Sequence, residues 1–252
     1  MGKAWWLSGL VAVVALAMAA SANANILPVG QWDLNEGTGN IAHNDFAAPS
    51  GNGTLEGGVS WTSGRFRSGL SFDGVDGTVD VPASPALEGA SVTVSAWVKA
   101  YGSPGDFRHI VVNGGNSCCT GSYGLYTGAN GGLAFYVATS PTTYVDSPDA
   151  GTTIWNGRWH NVVGTFDGSA VRLYVDGRQV GSGSPDSSPI QYHLQSGSDL
   201  VIGRYPWCPG LDFNGDIDQV KVFNRALAPG EIFLGYLISN WLPASAPFDA
   251  IL

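Results

Sequence analysis

The stretch that decides the fold reads HNVVGTF at 160–166, DG at 167–168, VRLYV at 171–175, DG at 176–177 and RQV at 178–180. In 171–175 apolar and polar residues alternate with period two. That puts Val171, Leu173 and Val175 on one face and Arg172, Tyr174 and Asp176 on the other. Each Asp-Gly pair supplies residues that tolerate positive φ, which tight hairpin turns require. Two such turns nine residues apart predict a three-strand antiparallel meander.

The same grammar extends in both directions. Residues 91–99 alternate strictly, with Val92, Val94, Ala96 and Val98 on the core face and Thr93, Ser95, Trp97 and Lys99 on the other. Residues 70–72 and 78–81 flank a turn at 73–77. Short apolar runs follow at 109–112, 123–126 and 133–138, then at 200–203 and 217–223. Only 228–238 has helical spacing, through Ile232, Phe233, Tyr236 and Leu237. Many short strands with a turn every ~8–12 residues and no intervening helices predict an all-β fold, a two-sheet antiparallel β-sandwich, in one domain over 25–238. Residues 239–252 are expected to form a loose tail.

Composition agrees and excludes other classes. Of 252 residues 36 are Gly, only 12% are charged, and the 20 acids include just four Glu. Such a chain is poor helix material and good turn material. A net charge of −9 removes the basic surface that nucleic-acid binding needs. Residues 1–24 read as a secretory signal: Lys3, an apolar run over 4–20, and the small-x-small site Ala22-Asn-Ala24. The expected product is secreted or extracytoplasmic, with no membrane span after cleavage. In that compartment Cys208 is expected to bridge to Cys118 or Cys119. The spacing of these three cysteines does not suit zinc.

A resemblance rests on LSFDG at 70–74, VTVSAWV at 92–98, WH at 159–160, GTFDG at 164–168 and LYVDG at 173–177, then IG at 202–203, FNGDID at 213–218 and VFNRAL at 222–227. In this order they resemble the laminin-G-like domain of the concanavalin A-like lectin/glucanase superfamily, over about 28–235. The resemblance implies a jelly roll with one concave sheet, and a function among glycan binding, adhesion, glycoside hydrolysis and polysaccharide lysis. It also implies one structural Ca²⁺ between the chain ends, held by an Asp of the closing strand and backbone carbonyls near the N-terminal strand; Asp218 is at the matching position, with Asp33, Asp45 and Asp73 as candidate partners.

Against catalysis, the paired Glu of retaining glycosidases is absent: Glu36, Glu56, Glu88 and Glu231 are scattered. Gln191-Tyr-His193 resembles one strand of alginate lyases, but the companion strands are missing. No catalytic residue is assigned. Sugar rings stack on exposed aromatic faces, so Tyr205 and Trp207 beside Asn113 and Asn116 are the candidate ligand rim. The expectation is a secreted, non-catalytic carbohydrate-binding module whose partner is a polysaccharide or glycan. The alternatives are a protein-adhesion module and an enzyme with an unrecognised site.

Overall fold

The computed structural model describes residues 27–46, 51–115, 117–118, 120–192 and 199–241, of Trp241 only the backbone. The signal at 1–24, Asn116, Cys119, His193 and the tail from 242 onward lie outside the described residues.

Seventeen strands form two sheets: β1 Gly30–Trp32, β2 Ile41–Ala42, β3 Gly53–Glu56, β4 Val59–Ser63, β5 Ser68–Asp73, β6 Thr78–Val81, β7 Val92–Lys99, β8 His109–Asn113, β9 Tyr123–Thr127, β10 Leu133–Ser140, β11 Thr143–Asp146, β12 His160–Phe166, β13 Ala170–Val175, β14 Arg178–Gln179, β15 Ser184–Pro185, β16 Leu200–Ile202 and β17 Asn214–Phe223. The first sheet runs β14-β13-β12-β7-β17-β5-β4, with β1 on β17 and β15 on β13. The second runs β11-β10-β9-β8-β16-β6-β3-β2. Non-sequential neighbours such as β7 and β17 are the long crossovers that make a sandwich rather than a meander.

The alternation fixes which residues meet between the sheets. Val92, Val94, Ala96 and Val98 are buried against Leu125, Phe135, Ile217 and Val222 in one core. The meander forms as its sequence dictates, with Val162 opposite Val175 and Phe166 opposite Val171. Asp176 (φ 51) and Gly177 (φ 75) make the tight turn that returns β13 to β14. Asp167 closes the earlier turn differently: its Oδ1 accepts from the Ser169 and Ala170 N–H groups at 2.8 and 2.9 Å.

Helix α1 spans Pro229–Trp241, three residues into the expected tail. Pro229 opens it. Glu231 reaches back to the Ala228 N–H at 2.7 Å and pairs with Arg225 at 2.8 Å, which is half of a capping box. The helix lies on the outer face of the first sheet. Ile232 packs on Val163 and Tyr174, and Tyr236 stacks on Trp97 at 6.2 Å. Trp97 and Tyr174 therefore occupy the non-core face, as the alternation predicts. They are nevertheless only 3% and 2% exposed, because the helix covers them. Arg65 ties the helix end down. Its guanidinium lies 4.7 Å over both Phe66 and Trp97 and donates to the Ser239 carbonyl.

Gly203 ends β16 at φ +93, and a Cβ there would overlap the Phe72 ring in the core. Gly203→Ala combines a left-handed backbone with an overpacked contact. It is expected to cost about 2–3 kcal/mol, read as a lower midpoint in urea at unchanged slope.

Candidate functional site

The aromatic loop singled out in the sequence lies over the outer face of the second sheet. Tyr205 is 2% exposed, with its ring 4.7 Å from His109 and 5.3 Å from Trp207. Its hydroxyl accepts from the Thr120 N–H at 2.6 Å and donates to the Ser117 carbonyl at 3.1 Å. Val112, Tyr126, Ala134, Tyr136, Val201 and Cys208 complete this second apolar cluster. Tyr205 is therefore a packing residue with no free face for a sugar, and Asn113 is buried in β8 beside it. Trp207 is half-buried and lies against Gly115. The Cys118–Cys208 disulfide joins the two loops, with its Cα atoms 4.9 Å apart.

This cluster holds two strongly perturbed groups. His109, 6% exposed, is pushed down to about 3 by burial, while its Nδ1–H donates to the Phe107 carbonyl at 3.0 Å. The Tyr126 hydroxyl donates to Asp146 at 2.8 Å, and burial raises it well above the usual phenol range.

Of the four Asp expected at a calcium site, Asp33 lies near enough to Asp218 to act on its charge, while Asp73 lies apart. Asp218 is fully buried in β17; its Oδ2 accepts from the Phe66 N–H at 2.9 Å, Oδ1 has no hydrogen-bond partner among the described residues, and burial raises its carboxyl well above the usual range. Asp33 accepts from Gln31 at 3.0 Å. The cation felt by Asp33 and Asp45 is the Lys221 ammonium, which burial lowers to about 8 against their attraction. Asp73 lies further along the sheet, opposite Asn214. There its Oδ1 caps the N–H groups of Val75, Asp76 and Gly77, and these bonds hold it below the usual carboxylate range. Among the described residues no group of three or more His, Cys, Asp or Glu is placed to hold a metal ion.

An open cleft of about 350 Å³ lies elsewhere, on the part of the first sheet's outer face beyond the Trp97–Tyr236 stack. Its floor is one cross-strand row. Ser71 of β5 stands opposite Asp216 of β17, and Asp216 opposite Lys99 of β7. Directly opposed residues share a face, so these polar side chains point the same way. Lys99 Nζ sits 2.6 Å from Asp216 Oδ2 and 5.0 Å over the Trp159 ring. Asn214 and the loop 101–104 form the walls.

Tyr101 stands on that loop at 85% exposure. Its backbone is pinned: Tyr101 bridges Asn156, the Gly102 N–H donates to the Trp155 carbonyl and the Gly157 N–H to the Ala100 carbonyl, both at 2.9 Å. One edge of the ring rests on Gly157, where a Cβ would overlap it. The result is an exposed aromatic ring on a pinned backbone beside hydrogen-bonding groups. Sequence reasoning did not select Tyr101, although Trp97, Lys99 and Tyr101 continue one period-two series on the non-core face. The signal was there, at the point where the strand gives way to Gly-Ser-Pro.

A second cleft of about 320 Å³ holds His160. Its Nδ1 is 2.7 Å from Asp176 and its Nε2 3.2 Å from Asn156, so both ring nitrogens are occupied. Tyr192, from the lyase-like segment, packs on the main core and donates to the Gly89 carbonyl at 2.9 Å.

The fold and this open face define a lectin-like two-sheet sandwich. A laminin-G-type family model, described as the concanavalin A-like lectin/glucanases superfamily, matches residues 73–233, and the chain belongs to that superfamily. No curated protein matches it in sequence. Among solved structures it is similar to domain 4 of AbnA, a GH43 extracellular arabinanase from Geobacillus stearothermophilus, in complex with arabinotriose. That match has 20% identity and a TM-score of 0.59 over 82% of this chain and 96% of the other. It is also similar to Trypanosoma rangeli sialidase (17%, TM-score 0.62, 86% of this chain) and to the binding domain of botulinum neurotoxin DC in complex with rat synaptotagmin II (12%, TM-score 0.62, 85% of this chain). The chain spans only 33% of the sialidase and 52% of the toxin chain. At these identities the likeness concerns the fold.

Proposed function

We propose that this chain is an exported, non-catalytic carbohydrate-binding module. The observation that carries the reading is the cleft itself, where an exposed Tyr101 ring on a pinned backbone stands beside hydroxyl-, amide- and charge-bearing side chains. A sugar offers an apolar C–H face to such a ring and hydroxyls to such a floor. The arabinotriose complex of the arabinanase domain, nearly all of which this chain covers, supports the reading. So does the placement of the carboxylates that catalysis would need. Glu36 holds the His43 N–H, Glu231 holds Arg225, and Asp216 is paired to Lys99. The Cys118–Cys208 bond fits an oxidising compartment, and none of the described helices is long and apolar enough to cross a membrane.

Tyr101→Ala is expected to weaken binding of a recognised oligosaccharide about tenfold while leaving the melting temperature unchanged, since the ring buries little. Calorimetric titration of both proteins with the best hit of a glycan array checks this. Equal affinities would place the ligand elsewhere. A protein-adhesion role has its own surface, the exposed Phe233 and Leu237, one turn apart on α1. Pull-down of a protein partner that is lost in Phe233→Ser, with no glycan bound, would favour that role instead.

A further inference from the structure

We propose that the Tyr101 cleft selects neutral sugar units and rejects those bearing a carboxylate, such as uronates and sialic acids. The proposal rests on the reading of this cleft as the glycan site. It goes further by assigning the ligand's charge.

Recognition of a sugar carboxylate calls for an unpaired cation, most effectively the arginine fork that donates two parallel hydrogen bonds. No arginine lines the cleft among the described residues. Its one cation, Lys99, is already engaged. Asp216 holds its ammonium at 2.6 Å from one side, and the Trp159 ring covers it at 5.0 Å. The Lys99–Asp216 pair leaves the floor with no net charge. An entering carboxylate would have to compete with Asp216 for the same ammonium and would sit close to a second anion, on a chain of net charge −9. A neutral sugar meets no such opposition. Its vicinal hydroxyls can donate to Asp216 and to the Asn214 side-chain oxygen. They can accept from Lys99 and exchange bonds with Ser71 and Ser103, while a C–H face lies on Tyr101. The polar lining is therefore matched to hydroxyls rather than to an ion.

The test is calorimetric titration of the full-length mature chain with neutral trisaccharides (arabinotriose, xylotriose, cellotriose) and acidic ones (trigalacturonate, 3′-sialyllactose). Each titration is run at 50 and 500 mM salt. The expected result is that at least one neutral probe binds in a Tyr101-dependent manner with little change between the two salt concentrations, as an uncharged ligand requires. Acidic probes are expected to bind at least about tenfold more weakly. Asp216→Asn releases Lys99 from its partner and is expected to raise acidic-probe affinity several-fold while lowering neutral binding. Its melting temperature shows whether it has folded, and the salt series on the wild-type chain needs no variant. Tyr101-dependent binding of an acidic probe as tight as any neutral one, weakened by salt, would overturn the selectivity and leave the glycan reading standing. Acidic affinity unchanged in folded Asp216→Asn would overturn the charge argument. A wild-type chain that binds no probe of either kind would overturn the glycan reading and the selectivity together.

Discussion

Acidification from pH 7 to pH 4 is expected to remove about 3 kcal/mol of stability through His109 alone, and about 4 kcal/mol by pH 3. His109 sits in the ring cluster of Tyr126, Tyr136 and Tyr205, at centroid distances of 5.4, 6.0 and 4.7 Å. Burial lowers it from the ordinary 6.5 to about 3, against a small opposing pull from the Phe107 carbonyl. Between those two values the unfolded chain binds a proton that the folded chain refuses. Stability is therefore fully present above about pH 6.5 and falls as the pH drops toward 3. Asp218, Asp80, Asp146, Asp212 and Glu88 are all raised by burial and slope the other way, since the folded chain holds their protons more tightly. The His109 contribution must accordingly be read as a difference. His109→Phe keeps an aromatic ring in the cluster and leaves the Phe107 carbonyl unpaired, at a cost that does not vary with pH. Urea unfolding of the two proteins at half-unit steps from pH 7 to 4 should show the wild type losing ground to the variant by up to about 1.4 kcal/mol per pH unit. Parallel curves would mean that His109 takes up its proton in the folded state.

The contrast between His109 and Tyr101 shows where sequence reading succeeds and stops. Period-two alternation and Asp-Gly turns are local, so β7, β12 and β13 are visible in the sequence, with the correct face for each side chain. β4 (VSWTS) is half-buried to exposed along its length, and only Val59 and Trp61 mark its core-facing side, too few to show a period. β1 and β2 are too short to show a period. Burial of a non-core face is not local at all. Trp97 and Tyr174 look exposed until α1, more than fifty residues later, is laid across them. Tyr205 looks like a loop aromatic until β8, β9 and β10 are found beneath it. The same non-locality hid the Tyr101 cleft, whose floor takes one residue from each of three strands that are neighbours only in the finished sheet. Where the four Asp expected to hold calcium come to lie is a non-local matter too. Asp33, Asp45, Asp73 and Asp218 suit the chemistry, yet the fold spends Asp73 on its own turn and sets Lys221 against Asp33 and Asp45.

Removing the Cys118–Cys208 bond is expected to destabilise the fold more than Gly203→Ala does. The bond closes a loop of 90 residues. In the chain-entropy picture a crosslink of that span destabilises the unfolded ensemble by about 4–5 kcal/mol, with measured losses ranging more widely, about 2–5. For a domain of this size that corresponds to a fall in melting temperature of about 10–15 °C. The folded side of the balance argues against a smaller value. The bond fastens the 203–212 loop onto the outer face of the second sheet, where Tyr205 bridges Thr120 and Ser117 and Trp207 lies on Gly115. Those contacts add to the tether but do not replace it, because each can open without the other loop being held nearby. Cys208→Ser should therefore melt lower than the wild type under non-reducing conditions and match it in excess dithiothreitol, which reduces the same bond in the wild-type chain. Because Tyr205 and Trp207 cover His109, the reduced protein should also lose the steep acid response, as water reaches the imidazole and its pKa returns toward 6.5. A reduced protein that kept both its melting temperature and its acid response would show that packing alone holds the loop, and that the disulfide is incidental to the fold.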